Sequence, residues 1–259
     1  MAARFEPKTS GAALWSRRIA LFSLTLFVVS GLGHRRGLVD TYGFFWILLL
    51  VAVLAVLALL LVALSFRRVW YRGDRGGGAA VVAVLVSFVV LAPFAVTAVR
   101  SLLHPRLSDI STDLVDPPGL VEAAKARHGH MNPVRPISRE AADMQIVDYP
   151  EITGRRYAAP PEDVLKAVDD VVAGKGWRVL SHPPFVAGAT EYTLEAVART
   201  SLFGFPSDIA IRLTDEDEST YVDMRSASRY GRGDLGDNAG RISDFFRALD
   251  AEIPAQSNR

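Results

Sequence analysis

The sequence predicts an α+β protein in which three N-terminal transmembrane helices precede an antiparallel four-stranded sheet packed by two helices. Three observations carry that reading. Half of the 259 residues are hydrophobic and the mean hydropathy is +0.21, too apolar for an ordinary soluble domain, and the long uncharged runs all fall within residues 1–100. Beyond them, two stretches repeat apolar residues at helical spacing. Between those two lie four β-like segments joined by short connections, which favours antiparallel neighbours with helices gathered on one face.

The first apolar stretch, Ile19–Gly33, is short for a span, but Trp15, Arg17 and Arg18 can snorkel and extend it to about residue 15. Tyr42–Phe66 carries no charge and, at about 1.5 Å per residue, crosses a hydrocarbon core of roughly 30 Å. Ala79–Val99 is a further span, interrupted by Pro93, whose freed carbonyl a neighbouring group can take up. Positive-inside counting does not choose between two spans and three. With three, Arg4, Lys8, Arg17, Arg18, Arg67, Arg68, Arg72 and Arg75 lie inside and Arg35, Arg36, Arg100 and Arg106 outside; with two, the last four of each group exchange sides, and the ratio is eight to four both ways. The positive-then-apolar order of SRRIALFSLTLFVVSG favours an uncleaved signal-anchor, hence three spans and a C-terminal domain outside. The apolar runs themselves hold no Asp, Glu, Lys, Arg or His, so transport by this chain alone is not expected. The alanines of VAVLAVLALLLVAL read as lipid-facing filler.

Residues 101–144, with Pro105, Pro117, Pro118, Pro133 and Pro136, read as a tether running along the surface of a domain formed by residues 145–259. That domain opens on PPEDVLKAVDDVVAGKGW, an amphipathic helix with prolines and acids at its start, apolar Val164, Leu165, Val168, Val171 and Val172, and a stop at Gly174. Strands follow at Trp177–His182, Thr190–Thr200, Ser207–Leu213 and Thr220–Arg229, the acidic TDEDE at 214–218 separating the last two as a hairpin loop. Alternation places Ile209, Ile211 and Leu213 on one face. The other face collects Glu195, Arg199, Arg212, Asp223 and Arg225, most simply as cross-strand pairs. Leu235, Ala239, Ile242, Phe245, Phe246 and Leu249 define a closing helix with one apolar face.

Several function classes are disfavoured. The 29 basic and 28 acidic residues give no basic footprint for nucleic acid. The lack of cysteine removes disulfides, thiolate catalysis and cysteine zinc sites. His128 and His130 stand without a further ligand cluster, Ser181 beside His182 has no triad logic, and no G-x-S-x-G, H-E-x-x-H or phosphate-loop pattern occurs, so no metal or cofactor is expected. GRGDLGDNAG at 231–240 has the glycine spacing of a dinucleotide loop, but no strand follows the closing helix to complete a βαβ unit. A glycine turn at a helix start can capture an anion with Arg229, Arg232 and Arg241, yet Asp234 and Asp237 already stand there, which favours a self-capped helix.

DISTDLVDPPGL, YPEITGRRYAAPPEDV, RTSLFGFPSDIAIRL and VDMRSASRYGRGDLGDNAGRISDFFRAL resemble the bacterial and plastid family known as domain of unknown function 1499, over about residues 105–251. The resemblance implies an extracytoplasmic domain, hence three spans, and carries no catalytic roles. Arg225, Ser226, Ser228, Arg229, Gly231, Asp234, Leu235, Gly236, Asn238, Ala239 and Arg241 match its signature. With Arg232 added from the charge reading, the expected ligand- or partner-binding residues are Arg225, Ser226, Ser228, Arg229, Arg232, Asp234, Asn238 and Arg241. The expected protein is a multi-pass bacterial inner-membrane protein, N-terminus cytoplasmic, whose helices hold the bilayer while a periplasmic, non-enzymatic domain binds an envelope protein or an anionic ligand. The alternative is a hydrolase-like enzyme built on the Arg229–Arg241 region with Asp234 and Asn238.

Overall fold

The computed structural model describes residues 10–72, 75–182, 184, 186 and 188–257; Arg4 and Lys8 of the charge count lie outside them. The chain divides into two compact units, Met1–Val99 and Arg100–Arg259.

The first unit is built from α1 (Gly11–Arg35), α2 (Thr41–Arg72) and α3 (Gly77–Leu103). Gly11–Arg35, Thr41–Phe66 and Gly77–Leu103 are each long and apolar enough to cross a membrane. α1 exceeds the expected Ile19–Gly33 because helix continues through Arg17 and Arg18, which stay exposed, to His34 and Arg35. His34 is buried against Phe44, ring centroids 4.6 Å apart, and bonds Thr41 at 3.0 Å, tying the end of α1 to the start of α2. α3 runs unbroken through Pro93. Ala20, Ala58 and Ala83 pack together, and Ala55 joins Val51 and Val90. Two alanines of the VAVLAVLALLLVAL run thus make helix contacts, a correction to the filler reading, because a small side chain lets backbones approach closely. The Ser23 hydroxyl uses that proximity to donate to the Val51 carbonyl at 3.0 Å.

The second unit runs β1 (Asp109–Ser111), α4 (Val121–Ala126), α5 (Arg139–Asp148), β2 (Arg155–Tyr157), α6 (Pro161–Gly174), β3 (Arg178–Ser181), β4 (Glu191–Arg199), β5 (Pro206–Asp215), β6 (Thr220–Ser228) and α7 (Asp237–Ser257). The α+β class and the antiparallel pairing are as expected, but the sheet has six strands where four were predicted. Its order is β1-β6-β5-β4-β3, with β2 also on β6. The two extra strands are three residues long, too short to show alternation, and both lie on the free side of β6: β1 opposite Arg225–Ala227 and β2 opposite Thr220–Val222. One edge of the sheet is therefore assembled from two distant pieces of chain with a break between them. Thr112 bridges the break, its amide donating to Met224 O at 3.0 Å and its hydroxyl accepting the Met224 amide at 2.9 Å.

On one face, Leu194, Ile209, Ile211, Leu213, Val222 and Met224 pack against Val164, Leu165 and Val168 of α6 and Ile242, Phe245, Phe246 and Leu249 of α7. Each such side chain contributes about 1.5–3 kcal/mol by leaving water. The opposite face is covered too. Residues 109–135 cross it, and Leu120 and Ala123 pack on Ala210 and Ala227.

Candidate functional site

Neighbouring strand residues point to opposite faces, so the expected site residues separate into two groups. Ser226 and Ser228 lie at the junction of β6 and α7. Ser226 Oγ donates to Asn238 Oδ1 at 2.9 Å, Asn238 Nδ2 donates to Ser228 Oγ at 3.1 Å and to Ser108 O at 3.0 Å, and Arg241 donates to Ser226 Oγ at 3.0 Å and Asn238 Oδ1 at 2.6 Å. Burial pulls the Arg241 guanidinium below its ordinary pKa, against the pull of Asp237 and Asp234. Asp234 accepts the amides of Gly236, at 3.2 Å, and Asn238, which caps α7. Burial pushes the Asp234 carboxyl up despite those amides. The turn needs its glycines: Gly236 has φ of +82°, and a Cβ there would stand 2.7 Å from His104 Nδ1. GRGDLG is thus a cap held against the preceding chain. Arg232 sits exposed on it.

Arg225 and Arg229 point the other way, into a buried layer of charges beneath residues 109–135. Arg229 and Arg127 share Asp208, at 2.6 and 2.7 Å, and Asp208 is fully buried. Arg225 binds Asp109 at 2.7 Å and the carbonyls of Pro118 and Arg135. Glu195 accepts the amides of Val121, Glu122 and Ala123, each at 2.9 Å, fixing the start of α4. Cross-strand pairing holds for Arg212 and Asp223, which are register partners 3.1 Å apart. Asp208 with Arg229 and Arg225 with Asp109 of β1 also pair between neighbouring chain segments of the sheet, and Arg127, Pro118 O and Arg135 O add partners from the covering segment; Glu195 finds its partners there. The eight residues do not converge on one open surface.

The break between β1 and β2 opens into a cleft of about 410 Å³, lined by Thr112, Asp113, Leu114, Gln145, Ile146, Tyr149, Pro150, Ile152, Thr153, Tyr221 and Asp223. Gly154 backs it so closely that a Cβ would lie 2.6 Å from Asp223 Oδ1 and 2.7 Å from the Tyr221 ring. Behind the lining, Arg212 is bonded by Asp113 at 2.8 Å, Asp116 at 2.9 Å and Asp223 at 3.1 Å, three carboxylates to one guanidinium. Burial raises the Asp113 pKa, but the amides of Asp116 and Val115 together with Arg212 more than offset that and hold the carboxyl below its usual range. Burial, helped by Asp234, pushes Tyr149 up to about 12; burial and Asp223 raise Tyr221. Both phenols are therefore protonated donors at neutral pH. The Thr112 hydroxyl donates to Asp223 at 2.7 Å while accepting the Met224 amide, so both its bonding directions are used. The Tyr149 hydroxyl bonds His104 Nδ1 at 3.3 Å, so the cleft offers net negative charge, the phenol of Tyr221 and an apolar wall. Sequence periodicity misses it because its walls come from loops and from strands of three residues.

Among the described residues no three His, Cys, Asp or Glu side chains are gathered to hold a metal ion. His128 is exposed, its ring bonded to Ala126 O, and His130 is exposed on the same loop.

A family model described as protein of unknown function, DUF1499, matches residues 109–249. No curated protein matches the sequence. Among solved structures, similarity is found to the vertebrate conserved region of human METTL16, at 11% identity over 38% of this chain and 98% of that chain with a TM-score of 0.27. TTHA0849 from Thermus thermophilus matches at 13% identity over 40% of this chain and 97% of that chain, with a TM-score of 0.21.

Proposed function

The chain belongs to the DUF1499 family, and from that premise we propose that it is a membrane-anchored binding or accessory protein whose C-terminal domain faces the extracytoplasmic side and works without catalysis. The length of α1 supports three spans, which set the termini on opposite sides. The cleft at the broken sheet edge is the observation that carries the reading: it is open, anionic and half apolar, suited to a ligand or partner group that pairs a cation or hydrogen-bond acceptor with an apolar body. It departs from the expectation of binding through Arg225, Ser226, Ser228, Arg229, Arg232, Asp234, Asn238 and Arg241, none of which lines the cleft, and Arg225, Arg229 and Arg241 are bonded inside the domain.

The enzyme reading has one feature in its favour, the raised Asp234 carboxyl. Its oxygens, however, face the amides of Gly236 and Asn238, and neither Asp234 nor Asn238 lines the cleft. A photo-crosslinking residue at Ile146 of the full-length protein in cells tests the binding reading. We expect a discrete adduct that disappears when Thr153→Trp fills the cleft. An adduct pattern unchanged by Thr153→Trp, or identical to that from exposed Glu218, rejects it. A reporter active only outside the cytosol, fused after Arg259, tests the side.

A further inference from the structure

Three segments, the end of α3 with the residues after it and two loops, leave the same end of the sheet. Ser228 N donates to Ser108 O at 2.7 Å, Arg229 N to Pro206 O at 3.1 Å and Thr200 N to Phe205 O at 3.0 Å, so residues 101–106, 200–205 and 230–236 all project beyond one line of hydrogen bonds. The 230–236 turn rests directly on the first segment: Asp234 N donates to Leu107 O at 3.0 Å, and a Cβ on Gly233 would stand 3.3 Å from Arg106 Cα. This is also the end where the chain arrives from the span Gly77–Leu103. Arg106 follows Leu103 by three residues, a reach of at most about 10 Å.

These segments expose leucines and arginines together. Leu102 is 87% exposed, Leu103 73% and Leu202 62%; Arg106 is exposed, and so is Arg232, the neighbour in sequence of the Gly233 that meets Arg106. Across the three segments the one carboxylate is Asp234, which is buried and bonded to backbone amides. Apolar side chains beside unneutralised arginines are what a peripheral surface presents to an anionic bilayer, the leucines entering the acyl boundary and the guanidinium groups holding phosphate.

We propose that this end of the sheet is a lipid-binding foot, in which Leu102, Leu103 and Leu202 enter the interface of the bilayer spanned by α3 while Arg106 and Arg232 bind the phosphates of anionic phospholipids. The inference rests on the membrane anchoring but not on the cleft. It gives Arg232, left aside by the bonded network around Asn238, a role of its own. Each arginine favours the seated state by about fivefold on a strongly anionic surface.

The chain has no cysteine, so single-cysteine labelling tests this in the full-length protein in vesicles. Leu202→Cys reports on the foot. Glu218→Cys, in the β5–β6 turn at the other end of strands about 30 Å long, is the control. In phosphatidylglycerol vesicles carrying nitroxide lipid, an environment-sensitive dye at 202 should be blue-shifted and quenched several-fold more than at 218. The difference should shrink in phosphatidylcholine and, in phosphatidylglycerol, on Arg106→Glu with Arg232→Glu. Equal quenching at 202 and 218 overturns the proposal. Shielding of 202 from aqueous iodide without lipid quenching overturns it in favour of a protein cover, and lipid quenching indifferent to headgroup and to both reversals overturns the phosphate contact. Flotation with the vesicles and the Ile146 crosslink report separately on the anchor and the cleft.

Discussion

On the helix-covered face of the sheet, Ile209, Ile211, Leu213 and Met224 meet α6 and α7 through apolar contacts; one residue along the same strands, Asp208, Arg212, Asp223 and Arg225 are just as buried beneath residues 109–135. The first cover is non-directional, and many apolar side chains of suitable volume would serve it. The second is positional. Arg225 needs Asp109, Arg212 needs Asp113 and Asp116, Asp208 needs Arg127, and Glu195 needs the amides that begin α4. Buried ion pairs add little net stability over apolar replacements, but a lost partner leaves a charge stranded. The charged face therefore selects one covering segment in one register, and that register places Thr112 at the mouth of the cleft.

The sharpest way to break this contrast is Asp208→Ala, which strands two buried arginines, Arg127 and Arg229. It should destabilise the C-terminal unit by about 3–5 kcal/mol. Replacing all three groups together, Asp208→Leu with Arg127→Met and Arg229→Met, should restore most of that loss or exceed the parent. Ile211→Ala on the other face has no comparable rescue and should cost about 3 kcal/mol, the middle of the range for such truncations. Denaturation of the full chain in detergent, followed by hydrogen exchange of β5 and β6 peptides, measures all three; a triple variant no better than Asp208→Ala would show that the charged layer is not interchangeable with an apolar one.

The same contrast explains what the sequence made legible. Segments obeying one period over many residues were readable: the apolar repeat of α6, its proline start and its end at Gly174, and the alternation of Ile209, Ile211 and Leu213 in β5. From the sequence the polar face reads as pairing within the sheet, which holds for Arg212 with Asp223 and for Asp208 with Arg229; the further partner of Asp208, Arg127, and the Val121–Ala123 amides that Glu195 accepts escape that reading, because they lie 81 and about 73 residues away in the chain. No local spacing encodes such contacts. β1 and β2 escaped for a related reason: a three-residue strand takes its structure from the edge of β6 rather than from its own pattern. The expected site residues were visible as a cluster in sequence, yet strand alternation sent Arg225 and Arg229 to one face and Ser226 and Ser228 to the other.

A smaller change sharpens the role of a single acceptor. Glu195→Gln keeps the shape and one oxygen but removes the charge that receives three amides. The expected loss is about 1–2 kcal/mol, confined to the cover: amide exchange should rise in α4 while α6 and α7 keep their protection. Uniform loss across both faces would mean that the cover and the helix layer unfold as one unit, and the contrast between them would then be structural without being energetic.

The smallest effect is expected from acid, and its sign separates two carboxylates of the same domain. Asp113 is held below its ordinary value of 3.8, so its contribution to stability is complete above that pH and disappears as the pH falls through the lower folded value. Asp234 is raised by burial, so folding favours its proton, and its contribution declines instead as the pH rises through 3.8 toward the higher folded value. Acidification from about pH 5 to about pH 3 thus weakens the cover at Arg212 while relieving the cap of α7. Asp113→Asn should flatten the acid loss by about 0.2–1 kcal/mol, as for a partly exposed ion pair, and should leave exchange in α7 unchanged. Asp234→Asn should act in the opposite sense, removing the relief at low pH. If both variants shift the acid curve in one direction, the charges at the cleft and at the cap are coupled through β6, and the two faces of the sheet do not titrate independently.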